Sequence, residues 1–442
     1  MKASWIWVAL IPLSMSRAAD VAEIRSIMTS RVEAGRAVGM VTGLIDANGR
    51  QVLAAGKVAE EGARAPDGDT VYEIGSITKV FTSLLLADMI EKGEVKADDP
   101  VAKYLPATVK VPSRNGRQIT LLDLSMQISG LPRLPNNLKP ADPGNPYVDY
   151  DAARLYDFLS HYELTRDPGE KYEYSNLAVG LLGHALALRA GMSYEELLRK
   201  RIFEPLGMTS TSITLSEDQK KRLAPGYSAS LHAVKNWDFG VLAGCGAIRS
   251  TVNDMLKFLA ANLELTDSPL RAAMRRMRSV EKDTGMPDVK IGMAWHVFTK
   301  YDPAIWWHNG GTYGYRSFVG FIPEKKEGVV ILCNTFMDND DLGSHILDSR
   351  YPVVLMEKEA AVDPAILERY VGEYEMNPTF KINVTREGPR LFVQATGQPR
   401  IEVFAKSDSE FFLKVVNAQI TFEKDGLILH QNGKDQRAKK TK

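Results

Sequence analysis

Apolar positions along this chain follow two regimes. Up to about residue 356, runs at helical spacing alternate with short apolar runs bounded by turn residues. Beyond about residue 363, apolar and polar positions alternate almost one by one. In the first regime, residues 24–36 predict a helix. VGMVTGLIDANGRQVLAAGKVA (38–59) reads as two apolar runs about Asn48-Gly49, a pair that tolerates positive φ and marks a hairpin. An apolar helix runs from Ser76 to Gly93, and others follow in DAARLYDFLSHYEL, SNLAVGLLGHALALRAG, SYEELLRKRIFEPLGM and STVNDMLKFLAANL. The last opens with Thr251 and Asp254 at capping-box spacing. From residue 303, WWHNGG, YRSFVGFIP and EGVVILCNT read as consecutive strands joined by tight turns. Strand groups therefore bracket a mainly helical middle, which predicts an α+β fold: an antiparallel sheet flanked by helices, plus a mainly helical subdomain.

The tail reads GEYEM, FKINVTREG, RLFVQATG, IEVFAKSD, EFFLKVV, AQITFEKDG and LILHQNG, short strands at regular spacing that predict a small all-β sheet or barrel. The expected organisation is a leader at 1–19, a first domain at 20–356 and a C-terminal β domain at 363–442. The leader expectation rests on Lys2, the apolar stretch 3–15 and the small residues after it, a pattern of export to the periplasm or the outside. No later stretch reaches the roughly 18 apolar residues of a membrane span, so no stable span is expected in the mature chain. Residues 131–148, LPRLPNNLKPADPGNPYV, form a long proline-rich loop of the kind that lines a site or covers one.

Composition narrows the function classes. With 44% hydrophobic and 25% charged residues, the chain is globular rather than disordered. Acidic and basic residues balance at 55 each and no basic stripe is present, so nucleic acid is not an expected partner. Cys245 and Cys333 stand apart, and His161, His184, His232, His296, His345 and His430 have no ligand spacing; no metal or cofactor is expected. Those histidines read as packing or surface residues, and Cys333 as a core thiol.

Candidate chemistry begins at Ser76 and Lys79. Three residues apart at a helix start, they share one side of the helix. A serine becomes a nucleophile when a neighbouring base takes its proton, and a desolvated lysine can be that base. An N-cap serine beside a surface lysine has the same spacing. Two further stretches weigh against that plain alternative. Tyr174-Ser175-Asn176 sits at a loop-to-helix junction, and His308-Asn309-Gly310-Gly311 ends a Trp-rich strand where glycine permits close backbone approach.

Together, Ser76-Ile77-Thr78-Lys79, Tyr174-Ser175-Asn176 and His308-Asn309-Gly310 resemble, in order and separation, the motifs of the serine β-lactamase and penicillin-binding-protein superfamily, most closely its class C and DD-peptidase/esterase branch. EIGSITK, Ser129-Gly130-Leu131-Pro132, PGEKYEYSN and HNGGTYGYRSF extend the likeness, which covers roughly residues 21–355. The tail resembles a β-rich domain appended to some of these hydrolases. The resemblance implies that Ser76 accepts the acyl group, that Lys79 and Tyr174 handle its proton, and that Asn176 holds the substrate amide and orients Lys79. It also implies an oxyanion hole from the backbone N–H groups of Ser76 and Gly311. Which of Lys79 and Tyr174 is the base stays open.

In that branch the third motif is Lys/His-x-Gly; His308 takes the place that a lysine fills in the true β-lactamases, and with Gly310 it is expected at the substrate-binding strand. Histidine is mostly neutral near pH 7, so weaker carboxylate recognition and a shift toward esters, small amides or D-amino-acid peptides are expected. Tyr313 and Arg316 are substrate contacts or hairpin-turn residues. The expected partner is a small molecule or peptide (a β-lactam, a D-amino-acid peptide or an ester). The sequence leaves oligomeric state open. The alternative is a catalytically inert peptidoglycan- or peptide-binding protein on the same fold.

Overall fold

A computed structural model describes residues 20–59, 64–356, 359–398, 400–413, 418–431 and 434–441. The expected leader at 1–19 lies outside them. The chain divides into two compact units, with the boundary between Val354 and Leu355.

The first unit is built on one antiparallel sheet. Its strands, in chain order, are β1 (Gly39–Asp46), β2 (Gly49–Gly56), β3 (Lys282–Asp283), β4 (Val289–Ile291), β5 (His296–Phe298), β6 (Ile305–Gly311), β7 (Arg316–Ile322) and β8 (Glu327–Cys333). Their spatial order is β2-β1-β8-β7-β6-β5-β4-β3, so the last long strand inserts beside the first. The Asn48-Gly49 turn does close the first hairpin, with Asp46 opposite Gly49 and its carboxylate accepting from the amides of both Asn48 and Gly49.

Both faces of the sheet are covered, which explains the unbroken apolar run in β8. Val330 and Leu332 face one core cluster, whereas Val329, Ile331 and Cys333 face the other. The second cluster also takes in α1 (Val21–Glu33) and the later helix Asp340–Leu347. The first cluster is the larger and surrounds α2 (Thr78–Glu91) and α3 (Asn176–Ala190). Every residue of α2 from Thr78 to Met89 is buried, as expected for a helix apolar on all sides. In α3, Ser175 caps the start by accepting from the Ala178 amide, and Gly191 ends it in the left-handed region at φ 66°. The box expected at α4 (Val252–Asn262) forms by half. Thr251 accepts from the Asp254 amide, but the Asp254 carboxylate accepts from the Ser210 amide and the Thr211 hydroxyl instead.

The second unit is a closed antiparallel barrel from Gly372 to Lys440, with Tyr374 opposite Lys440 closing it. The tail pattern displays seven of its eight strands. The eighth, Lys434–Lys440, reads KDQRAKK and turns only Ala438 fully inward, so it carries no apolar alternation to find.

Candidate active site

Gly75, at φ +51°, turns the chain into a single 3-10 turn, Gly75–Ile77, that leads into α2. Ser76 lies in that turn. It is not the cap of α2: neither the turn nor the helix has a side-chain cap. Its Oγ instead meets Lys79 Nζ at 2.9 Å. Lys79 is fully buried, and its Nζ also donates to the carbonyl of Cys245 at 2.7 Å. That carbonyl fixes the amine under the serine, and as a backbone atom it has no mark in the sequence.

Tyr174 closes the other side. Lys79 Nζ lies 4.8 Å from the centre of its ring, and the Arg133 guanidinium lies 5.0 Å from it. The Tyr174-Ser175-Asn176 segment is held by Ser175. The Ser175 amide donates to Gln127 Oε1 at 2.7 Å and its hydroxyl to the Pro132 carbonyl at 2.6 Å. A buried, doubly tied serine in the middle leaves its two neighbours to line the cleft. Asn176 departs from expectation in its partner: its Nδ2 donates to the Tyr147 hydroxyl at 3.1 Å, and its buried Oδ1 has no hydrogen bond. Lys79 is thus oriented by Ser76 and Cys245, with no bond to Asn176.

β6 brings the third group. A Cβ at Gly310 would collide with the Ile74 carbonyl oxygen, and one at Gly75 would stand 2.6 Å from the Gly311 nitrogen. Glycine at both positions lets β6 dock on the turn that carries Ser76. The backbone amides of Ser76 and Gly311 therefore belong to adjoining segments. His308 lies deeper than a substrate-binding residue would. It is completely buried, 6.3 Å ring to ring from Tyr174 and 5.2 Å from His296, and its Nδ1 meets the Asn309 carbonyl at 2.5 Å. Burial, then His296 and Lys79, hold it well below its usual pKa, so it is neutral. His308 thus supports the wall of the cleft, and its neighbours Asn309 and Gly311 line it.

The cleft has a volume of about 620 Å³. The proline-rich loop supplies Arg133, Leu134, Leu138, Pro146 and Tyr147, as its composition suggested. Tyr313 and Arg316 also line it, so both flanking residues of the third motif face the space rather than only making a turn. His296, read from sequence as a packing residue, lines it too. Its Nε2 pairs with the Tyr172 hydroxyl at 2.9 Å, and burial, with Lys79 second, pushes its pKa down to about 4. Trp237 and Phe336 join from segments that carry no local sign of such a role. A second cavity, of about 360 Å³, lies by the β1–β2 turn and α1; its lining holds no serine, lysine, histidine or cysteine. The two cysteines are free and buried.

A serine hydroxyl, a buried amine, a phenol and backbone amides of two adjoining segments thus come together at one end of a cleft, a set suited to acyl transfer. Comparison with known proteins points the same way. The Beta-lactamase family model matches residues 24–347, and a domain of unknown function (DUF3471) matches 356–435. The D-alanyl-D-alanine-carboxypeptidase/endopeptidase AmpH of Escherichia coli is 31% identical over 321 residues, 67% of this chain and 79% of that protein. The structure of a beta-lactamase/D-alanine carboxypeptidase from Yersinia pestis, complexed with citrate, superposes with a TM-score of 0.64 at 28% identity, covering 74% of this chain and 98% of that one. The octameric penicillin-binding protein homologue from Pyrococcus abyssi shares the fold, with a TM-score of 0.70 at 22% identity over 95% of this chain and 100% of that one.

Proposed function

This chain belongs to the Beta-lactamase family, and from that membership we propose that it is an exported serine hydrolase working through an acyl-enzyme on Ser76. The observation that carries the reading is the 2.9 Å contact between Ser76 Oγ and the buried Lys79 Nζ, made by a serine that caps no helix. Ser76 Oγ attacks the carbonyl carbon of an amide or ester, and its proton passes to the Lys79–Tyr174 pair. The oxyanion lies against the N–H groups of Ser76 and Gly311, donors fixed before the reaction begins. The C–N or C–O bond then breaks as the leaving group takes that proton. Water gives a proton to Tyr174 as it attacks the Ser76 ester carbonyl, the C–O bond to Ser76 breaks as Oγ takes that proton back, and the acid departs.

The substrate is a D-amino-acid peptide or a carboxylic ester in preference to a β-lactam, because the strand position that a lysine fills in the true β-lactamases holds a neutral, buried histidine. The similarity to a D-alanyl-D-alanine carboxypeptidase supports the peptide. The test is a side-by-side assay of nitrocefin, a peptide ending in D-Ala-D-Ala and a p-nitrophenyl ester, with fluorophosphonate labelling of wild type and Ser76→Ala. Peptide or ester turnover above nitrocefin, with labelling lost in Ser76→Ala, is expected. Nitrocefin turnover far above both refutes the substrate order, and binding without turnover or labelling refutes the hydrolase. Export predicts that the purified mature chain begins near Asp20, which N-terminal sequencing reads directly.

A further inference from the structure

The second cavity, of about 360 Å³, is built where the first hairpin, the start of β8, the first turn of α1 and the end of the helix Asp340–Leu347 meet. Its volume is that of a small-molecule site. Val21, Ile24, Leu44, Ile346 and Leu347 give it an apolar wall. With no serine, lysine, histidine or cysteine in its lining, it is equipped to bind rather than to react.

Strand alternation places two carboxylates at one end of that wall. Val329 and Ile331 face the core cluster that takes in α1, so Glu327, two residues before Val329, projects to the same side. Leu44 packs on that cluster too, and Asp46 follows it by two. Ile45 pairs with Gly328, which sets Asp46 and Glu327 at neighbouring places across the ladder. Like charges so placed repel. Arg50 also lines the cavity, but it pairs with Ile45 and shares that residue's face of the sheet, away from the two acids.

The two acids differ in what satisfies them. Asp46 accepts from the amides of Asn48 and Gly49. Glu327 Oε2 is buried without a hydrogen-bond partner, a costly state for a carboxylate. Burial raises the Glu327 carboxyl above its ordinary range; Lys325, outside the cavity lining, opposes the shift, and Asp46 and Asp348 add to it. The helix Asp340–Leu347 ends against the same space and turns its negative end toward it. An unpaired carboxylate, a second one beside it and a helix C-terminus, all bordering an apolar wall, complement a cation that carries an apolar body.

We propose that this cavity is a second, non-catalytic binding site that takes a small primary ammonium with an apolar tail. The ammonium donates to Glu327 beside Asp46, and the tail lies along Ile24, Leu44 and Leu347. The site is independent of the Ser76 cleft and of the hydrolase reading.

The test is calorimetric titration of the purified chain with n-hexylammonium, 1-hexanol and hexanoate, probes that share a tail and differ in the head. Wild type is expected to bind one hexylammonium per chain, about tenfold or more tighter than hexanol, the scale of one hydrogen bond to a charged group. Hexanoate is expected to bind more weakly than the alcohol. Glu327→Gln should weaken hexylammonium by about tenfold and leave hexanol within about threefold. Gln51 is exposed on β2 and opposite Leu44, so Gln51→Phe fills the cavity from a surface position and is expected to block both probes. Equal binding of amine and alcohol, an unchanged preference in Glu327→Gln, or hexylammonium binding that survives Gln51→Phe overturns the proposal.

Discussion

Lys79 Nζ lies 2.9 Å from Ser76 Oγ and is held there by the Cys245 carbonyl, 2.7 Å away on its other side. A single backbone acceptor thus sets the position of the amine that faces the hydroxyl. Lys79→Arg keeps a nitrogen donor but cannot take up the serine's proton, and its fork does not fit a position built for one nitrogen. The expected outcome is a fall in kcat of roughly 10²–10⁴-fold, the usual worth of a positioned proton acceptor, with the fold intact. Steady-state kinetics alongside circular dichroism check it; activity within tenfold of wild type contradicts the assignment of Lys79.

Gly310 and Gly75 are required by contact. A methyl on Gly310 would run into the Ile74 carbonyl and push β6 off the Ser76 turn, displacing the Gly311 amide. Gly310→Ala is therefore expected to cut kcat by roughly 10²–10³-fold, as loss of one oxyanion donor does, with a smaller change in KM. Rates on an activated ester measure this. A variant with normal kcat shows that the Gly311 amide does not serve the reaction.

Cys245 contributes its carbonyl and not its thiol. Burial, partly offset by Lys79, raises the thiol to about 11, and no solvent reaches it. Thiolate is the reactive form, so the site should resist alkylation. Iodoacetamide or N-ethylmaleimide at neutral pH is expected to leave turnover unchanged, and Cys245→Ser is expected to remain active. Inhibition by either reagent in the folded state assigns the thiol a role that its burial denies.

The sequence made some of this arrangement legible because a few residue types leave strong marks. The polar pairs Ser76–Lys79 and Tyr174–Asn176 stand at the heads of largely apolar helices, and consecutive glycines at 310 and 311 signal backbone contact. The apolar run of β8 and the alternation of the barrel follow directly from burial on two faces and on one. Three features were not legible. The Cys245 carbonyl is common to every residue type. His296 enters the cleft because its strand pairs with β6, which docks on the Ser76 turn, and nothing local to His296 encodes that. The orientation of Asn176 depended on Tyr147, a residue of the loop whose path the sequence leaves free.

Asp340 gives a prediction in pH. Its carboxyl is raised from 3.8 to about 7, mainly by burial and then by Asp338, while Asn309 and Arg316 oppose the shift. Between those values the folded protein holds a proton that the unfolded chain has released, so this group's contribution to stability falls as pH rises from about 4 to about 7. His296, pushed down to about 4, acts in the opposite sense, since stability falls as pH drops below its unfolded pKa. Comparing wild type with Asp340→Asn cancels the histidine. The melting temperature of wild type relative to the variant is expected to decline as pH is taken from 5 to 8. A difference that is flat or rises over that range contradicts the raised carboxyl.

The central claim is that Ser76 takes the acyl group, and intact-protein mass spectrometry after brief exposure to a fluorophosphonate or an activated ester tests it most directly. The account predicts one adduct per chain in the wild type, mapped by peptide digestion to the segment containing Ser76, strongly slowed in Lys79→Arg and absent from Ser76→Ala. An adduct of the same size and rate in Ser76→Ala, or one mapped to any other residue, would contradict it.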